Sequence, residues 1–284
     1  MPNTLYNILV PVDFTARSKW AIAKAIELAN TFTCNIHLVH VVSSFAIPVI
    51  GSDTGYVWSY DATTDMEYAG KKLALLKAQY ENHLCSGGKI EISVLHGHPQ
   101  AVLADYIDKY KMDLVIKGLS RFNLLHRIWS TVSISSLARK TNVPVLAVRS
   151  SGLISHFKKI VLPLHDHVPM RRIRFAAMLG RYFKSTIYVL SLKKDNGADI
   201  PILNDTLEII QSLTTIPVQS FILEGKNLAK ATLDFSKKIN ADLIMITSMK
   251  EYCLPGLWNK ITQKLLSYKS NIPVLTVDHN GNEL

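Results

Sequence analysis

Short runs of aliphatic and β-branched residues, near 5–12, 35–42, 89–96, 113–118 and 144–149, punctuate the first half of the chain. Between them lie longer stretches, near 16–32, 62–85, 99–111 and 124–141, whose apolar residues recur every three or four positions. Ile8-Leu9-Val10 and Val115-Ile116 are apolar without alternation, as strands covered on both faces require, whereas Trp20, Ile22, Ala23, Ile26 and Leu28 keep helical spacing. Strand, helix and strand in succession predict βαβ units on a parallel sheet. The second half predicts further strands near 157–164, 186–192, 217–223, 242–248 and 273–277.

The two halves are copies. DLVIKGLSRFNLLHRIWSTVSISSLARKTNVPVLAV, from Asp113, returns without a gap as DLIMITSMKEYCLPGLWNKITQKLLSYKSNIPVLTV, from Asp242, so that Leu125 and Leu254, Trp129 and Trp258, and Pro144-Val145-Leu146 and Pro273-Val274-Leu275 coincide. YNILVPVDF likewise answers to FKKIVLPLHD, and CNIHLVHVV to STIYVLSLK. Ser150-Ser151-Gly152 reads as the hinge, giving a first domain over 1–150 and a second over 153–280. The copies differ most between Val42 and the next helix, where the first carries a long segment over 43–64 with Tyr56, Trp58 and Tyr60. That segment reads either as a surface excursion or as a cover over the adjacent cleft.

Composition narrows the picture only a little. With 284 residues, 48% of them hydrophobic and 19% charged, the chain is of globular type and long enough for two cores. No apolar run reaches the roughly 20 residues of a membrane helix, and the N-terminal stretch has no signal-like core, so a cytoplasmic location is expected. Cys34, Cys85 and Cys253 form no CxxC pair, which suggests reduced, packed thiols and neither a disulfide framework nor a thiolate zinc site. The net charge of +10 favours anionic partners, but the basic residues are dispersed, so nucleic-acid binding is not the favoured reading.

VPVDFT (Val10 to Thr15), HGHP (His96 to Pro99), DLVIKG (Asp113 to Gly118) and NVPVLAVR (Asn142 to Arg149), in this order and twice over, resemble the universal stress protein family, and in particular its tandem members. The resemblance implies two adenine nucleotide alpha hydrolase-like (Rossmann-like) α/β domains, each a five-stranded parallel sheet of order 3-2-1-4-5 flanked by helices. ATP or another adenine nucleotide would sit at the carboxyl ends of strands one and four. Topology points to the same crevice, because it opens where strand order reverses and brings Asp13 and Gly118 together. The resemblance further implies that Pro11, Asp13, Val39, Gly118, Arg121, Ser130 and Thr131 line it.

The family's phosphate loop reads G-x2-G-x9-G-[ST], in which glycines let backbone N–H groups approach a phosphate and the hydroxyl adds a donor. Gly118 matches the first glycine and Arg121 replaces the second. Counting strictly puts Thr131 at the third, and a one-residue slip puts Ser130-Thr131 at the Gly-Ser pair. Arg121 could supply a charged contact or fill the space. In the second half His165 stands for Asp13, and Thr247, Lys250, Asn259 and Lys260 stand where the loop would be, so that half is expected to serve packing.

His165-Asp166-His167 and His96-Gly97-His98 have a spacing that a zinc ion could use with a third ligand, but ordinary polar loop ends are the favoured reading and no metal is expected. Ser86-Gly87-Gly88 follows a helix and enters a strand, as a C-cap does and as an ATP pyrophosphatase motif does not. No G-x-S-x-G, HExxH or GKS/GKT appears. The expectation is therefore a cytoplasmic regulatory or protective binding module with an unassigned protein partner and no robust catalysis. The alternative is an adenine-nucleotide-binding member with slow ATPase or nucleotide-gated signalling. A metal- or nucleic-acid-binding stress factor comes third. Each copy ends in an edge strand, so Val145–Val148 is expected to lie against Val274–Val277 in an internal pseudo-dimer, leaving room for homodimeric association elsewhere.

Overall fold

The structure, a computed structural model, describes residues 4–43, 62–85, 87–119, 133–149, 156–193, 199–225, 227–248 and 271–278. The first half runs β1 (Asn7–Pro11), α1 (Ala16–Phe32), β2 (Asn35–Val42), α2 (Ala62–Glu81), β3 (Ile90–His96), α3 (Pro99–Lys109), β4 (Leu114–Gly118), α4 (Ile134–Thr141) and β5 (Val145–Val148). The second runs β6 (Lys159–Pro163), α5 (Met170–Phe183), β7 (Thr186–Leu192), α6 (Asp199–Leu213), β8 (Val218–Leu223), α7 (Leu228–Lys238), β9 (Leu243–Ser248) and β10 (Val274–Asp278). Most bounds lie within two residues of the sequence pattern. α2 is shorter, ending at Glu81, and the hinge at 150–152, most of the 43–64 segment and the start of the 124–141 stretch fall outside the described residues.

All strands join one ten-stranded sheet of order β3-β2-β1-β4-β5-β10-β9-β6-β7-β8, which is the 3-2-1-4-5 order twice, the second copy reversed. Within each half every pairing is parallel. The halves meet through antiparallel β5 and β10, with Val274 opposite Ala147, Leu275 opposite Leu146 and Thr276 opposite Val145. Both strands follow a proline, and the Pro144 and Pro273 carbonyls accept from Val115 N and Ile244 N at equivalent places.

The non-alternating strands bury both faces. On β1, Ile8 and Val10 join a core shared with α1, α2, α5 and α6, while Leu9 faces α3 and α4. The first of these cores runs unbroken through both halves and includes Leu146 and Leu275. The repeated aspartate fastens strand ends. Asp113 Oδ2 accepts from Tyr6 N (2.8 Å) and Asn7 N (2.9 Å), and Asp242 Oδ2 accepts from Lys159 N (2.9 Å), tying the start of each central strand to its neighbour. α1 is capped by the Thr15 hydroxyl and closed by Thr33 in the left-handed conformation at φ 57°. Its far end packs against the far end of α5, with the Phe32 and Tyr182 rings 4.2 Å apart and tilted by 45°.

Candidate functional site

The first-half crevice forms where β1 and β4 part: their pairing covers only Ile8–Leu114 and Leu9–Val115. Pro11, last in β1, pairs with Val39, whose carbonyl accepts Val12 N at 2.8 Å. The chain then turns through Phe14, a non-glycine residue at φ 57°, its ring 4.6 Å from that of His40. A left-handed residue of this bulk costs on the order of 1 kcal/mol and persists only where its surroundings impose it.

That turn folds α1 back onto Asp13. Asp13 Oδ1 accepts from Thr15 N at 3.0 Å and from the Thr15 and Ser18 hydroxyls, Oδ2 meets Arg17 Nη2 at 2.9 Å, and Asp13 N donates to Ser18 Oγ at 2.8 Å. Burial alone would raise the Asp13 carboxyl. The hydroxyl and amide donors together with the Arg17 charge outweigh it and hold the group below its ordinary value. Its side chain nonetheless stays 49% exposed, so acceptor capacity remains turned to solvent.

Because the folded value is lowered, this network stabilises the protein above the ordinary carboxylate range, and the contribution disappears as pH falls through the folded value. Asp13→Asn should therefore flatten the acid limb of stability against pH. Denaturant midpoints of both proteins across the carboxylate range check this, and parallel curves would remove Asp13 from the account.

Gly118 closes β4 beside this cluster, and its lack of a side chain has a packing reason. A Cβ there would lie 2.0 Å from the Arg17 carbonyl oxygen, so the missing side chain is what lets the first turn of α1 cross the strand end. Lys117, half-buried one residue earlier, was not among the residues expected from sequence. Burial pushes it down to about 8, with the Asp13 charge opposing the shift and the Arg17 charge adding to it. A lysine ending an otherwise apolar strand, next to a glycine, was the available signal. Beside the cluster a groove of about 210 Å³ opens between α1 and α2, lined in part by Phe14, Thr15, Ser18, Lys19 and Lys72. Arg121, Ser130 and Thr131 lie outside the described residues.

The second half is built differently at the equivalent place. α5 has 14 residues where α1 has 17, and Thr247 stands in the position of Gly118. His165 Nδ1 and His167 Nδ1 both turn to Asp166 Oδ1, at 3.2 and 2.8 Å. Burial would raise Asp166, but the two imidazoles hold it below its ordinary value. The His-x-His pair is thus engaged locally with the aspartate between. Among the described residues no three His, Cys, Asp or Glu side chains gather as metal ligands, and no helix is long and apolar enough to cross a membrane.

The sequence profile described as the universal stress protein family matches residues 5–149, just over half of the chain. A universal stress protein of Methanocaldococcus jannaschii is 25% identical over 147 residues, which is 52% of this chain and 84% of that protein. Among solved structures, a universal stress protein from Archaeoglobus fulgidus superimposes at a TM-score of 0.73 with 16% identity, covering 99% of both chains. The cytoplasmic domain of a prokaryotic cation chloride cotransporter does so at 0.56 with 13% identity over 96% of each chain. At these identities the structural likeness is one of fold.

Proposed function

Because the chain belongs to the universal stress protein family, we propose that it is a regulatory or protective binding module of the stress response, whose first-half crevice takes an adenine nucleotide without robust turnover. The observation that carries this reading is the charge arrangement where strand order reverses: an ionised, solvent-facing Asp13 carboxylate with the Arg17 and Lys117 cations in electrostatic reach. A ligand with donor groups at one end and an anion at the other suits it. In this reading Pro11 and Val39 form the backbone wall, Arg121, Ser130 and Thr131 keep the binding role that the family resemblance implies, and the nucleotide is confined to the first half. The division into domains over 1–150 and 153–280 belongs to the same proposal, as does action in the cytoplasm on a protein partner.

Calorimetric titration of the intact chain with ATP tests it. Asp13→Ala should weaken binding by roughly tenfold or more, the scale of a lost hydrogen bond to a charged group, and His165→Ala should leave it unchanged. Equal losses from both substitutions, or no binding by the wild type at millimolar nucleotide, would overturn the assignment.

A further inference from the structure

The ten-stranded sheet ends at β3 on one side and at β8 on the other, and the two edges are finished differently. An edge strand leaves a row of N–H and C=O groups without strand partners, and charged side chains along it keep other chains away. Ile36 faces Ile90 and the equivalent Ile187 faces Val218, so the repeat aligns Glu91 with Gln219 and Ser93 with Phe221. The first edge thus carries a carboxylate and a hydroxyl where the second has an uncharged amide and an aromatic ring. No charged residue stands between Pro217 and Leu223, and Gln219, Ser220, Phe221 and Ile222 are exposed in succession, Ile222 at 47%.

Backbone alternation identifies the groups of β8 that its own sheet leaves unused. Ile187 N donates to Pro217 O and Lys193 N to Leu223 O, both at 2.9 Å. Bonded residues alternate along a parallel ladder, so Pro217, Gln219, Phe221 and Leu223 turn their backbone groups to β7, and Val218, Ser220 and Ile222 turn theirs outward. Those three also share one face of the strand. Val218 packs on the core beneath α6, while Phe221 lies on the other face with its ring 4.8 Å from that of Phe235. Among the described residues no strand lies beyond β8.

We propose that β8 is the pairing edge for a second copy of this chain, joined antiparallel about a two-fold axis at Ser220. A two-fold axis sets one residue opposite itself, and the outward parity limits that residue to Val218, Ser220 or Ile222. Only Ser220 engages all three: it exchanges both backbone hydrogen bonds with its own counterpart, and Val218 does the same with Ile222 of the second copy. The outward row reads the same in both directions about Ser220, apolar, small, apolar, so each exposed Ile222 comes to lie beside a Val218. An unrelated strand would match that symmetry only by chance. β5 and β10 already pair in this way inside the chain, antiparallel and with the repeat-equivalent Leu146 and Leu275 opposite each other. The edge shares no residue with the first-half crevice.

Six residues a side make a small interface, so the dimer is expected to depend on concentration, and sedimentation velocity of the full chain over a concentration series reads it. Ser220→Lys sets two ammonium groups opposite each other and should raise the dimer Kd by about tenfold or more, and Ser220→Glu should do the same. An equimolar mixture of the two variants should recover association, because opposite charges then face each other across the axis. Ile92→Lys, at the equivalent place on β3, should leave the Kd unchanged. Ser220 and Ile92 are both exposed, so the urea midpoints of the variants should match that of the wild type. A chain that stays monomeric at every concentration, a Kd unmoved by Ser220→Lys or moved equally by Ile92→Lys, or a mixture that recovers nothing would overturn the pairing.

Discussion

Gly118→Ala should lower the stability of the chain by about 3 kcal/mol, at the upper end of what an added methyl costs in a packed interior. The new Cβ would stand 2.0 Å from the Arg17 carbonyl oxygen and 2.5 Å from its carbon. Both are backbone atoms, so no rotamer change can relieve the contact and the start of α1 must move. That turn carries Thr15, Arg17 and Ser18, the groups that hold Asp13, so the nucleotide binding proposed for this crevice should weaken along with stability. The second half offers the natural counterpart, since Thr247 occupies the equivalent position against a shorter helix. Urea denaturation with an unchanged slope and a lowered midpoint is the expected reading. A midpoint equal to that of the wild type would show that α1 does not depend on this crossing.

Leu146→Lys should be more damaging still. Leu146 is 1% exposed and lies in one row with Ile116 on β4 and Leu275 on β10, all within the core common to both halves. An ammonium there has no acidic partner in the row, and the combined loss of packing and burial of charge should exceed about 4 kcal/mol. The damage falls on the only strand pairing between the halves among the described residues. Amide hydrogen exchange should therefore lose protection on both sides, at 145–148 and at 274–277. Deprotection of β5 alone, with β10 untouched, would mean that the halves are held together by something other than this seam.

Much of the fold was legible because its signals are local. β2 and β7 match the sequence pattern residue for residue, as does α1, bounded by a capping threonine on one side and Thr33 on the other. β5 is shorter than its apolar run because Pro144 has no N–H to give the ladder and Arg149 lies beyond the last pairing. The internal repeat announced the seam, since two equivalent edge strands in one chain can satisfy each other. What stayed hidden depends on residues distant in sequence. Gly118 reads as a phosphate contact in the sequence, whereas the room it leaves for α1 to cross at Arg17 shows only in the fold. Asp113 and Asp242 were visible as a repeat, but not as clamps on β1 and β6. Lys117 gave a faint signal as a charge inside an apolar strand, and Arg172 sat unnoticed in a basic run that reads as solvent-facing until its burial is seen.

The contact of Phe32 with Tyr182 has a mechanical meaning. α1 starts at the Asp13 cluster and α5 at Arg172, and their other ends bear on each other. At about 1.5 Å per residue these are levers of roughly 26 and 21 Å sharing one fulcrum. Close-packed rings do not slide continuously past one another, so a tilt imposed at the tip of one helix loads the other. If a ligand at the Asp13 end tilts α1, this contact carries the tilt into the second half, and any change in affinity produced there is returned by the same factor.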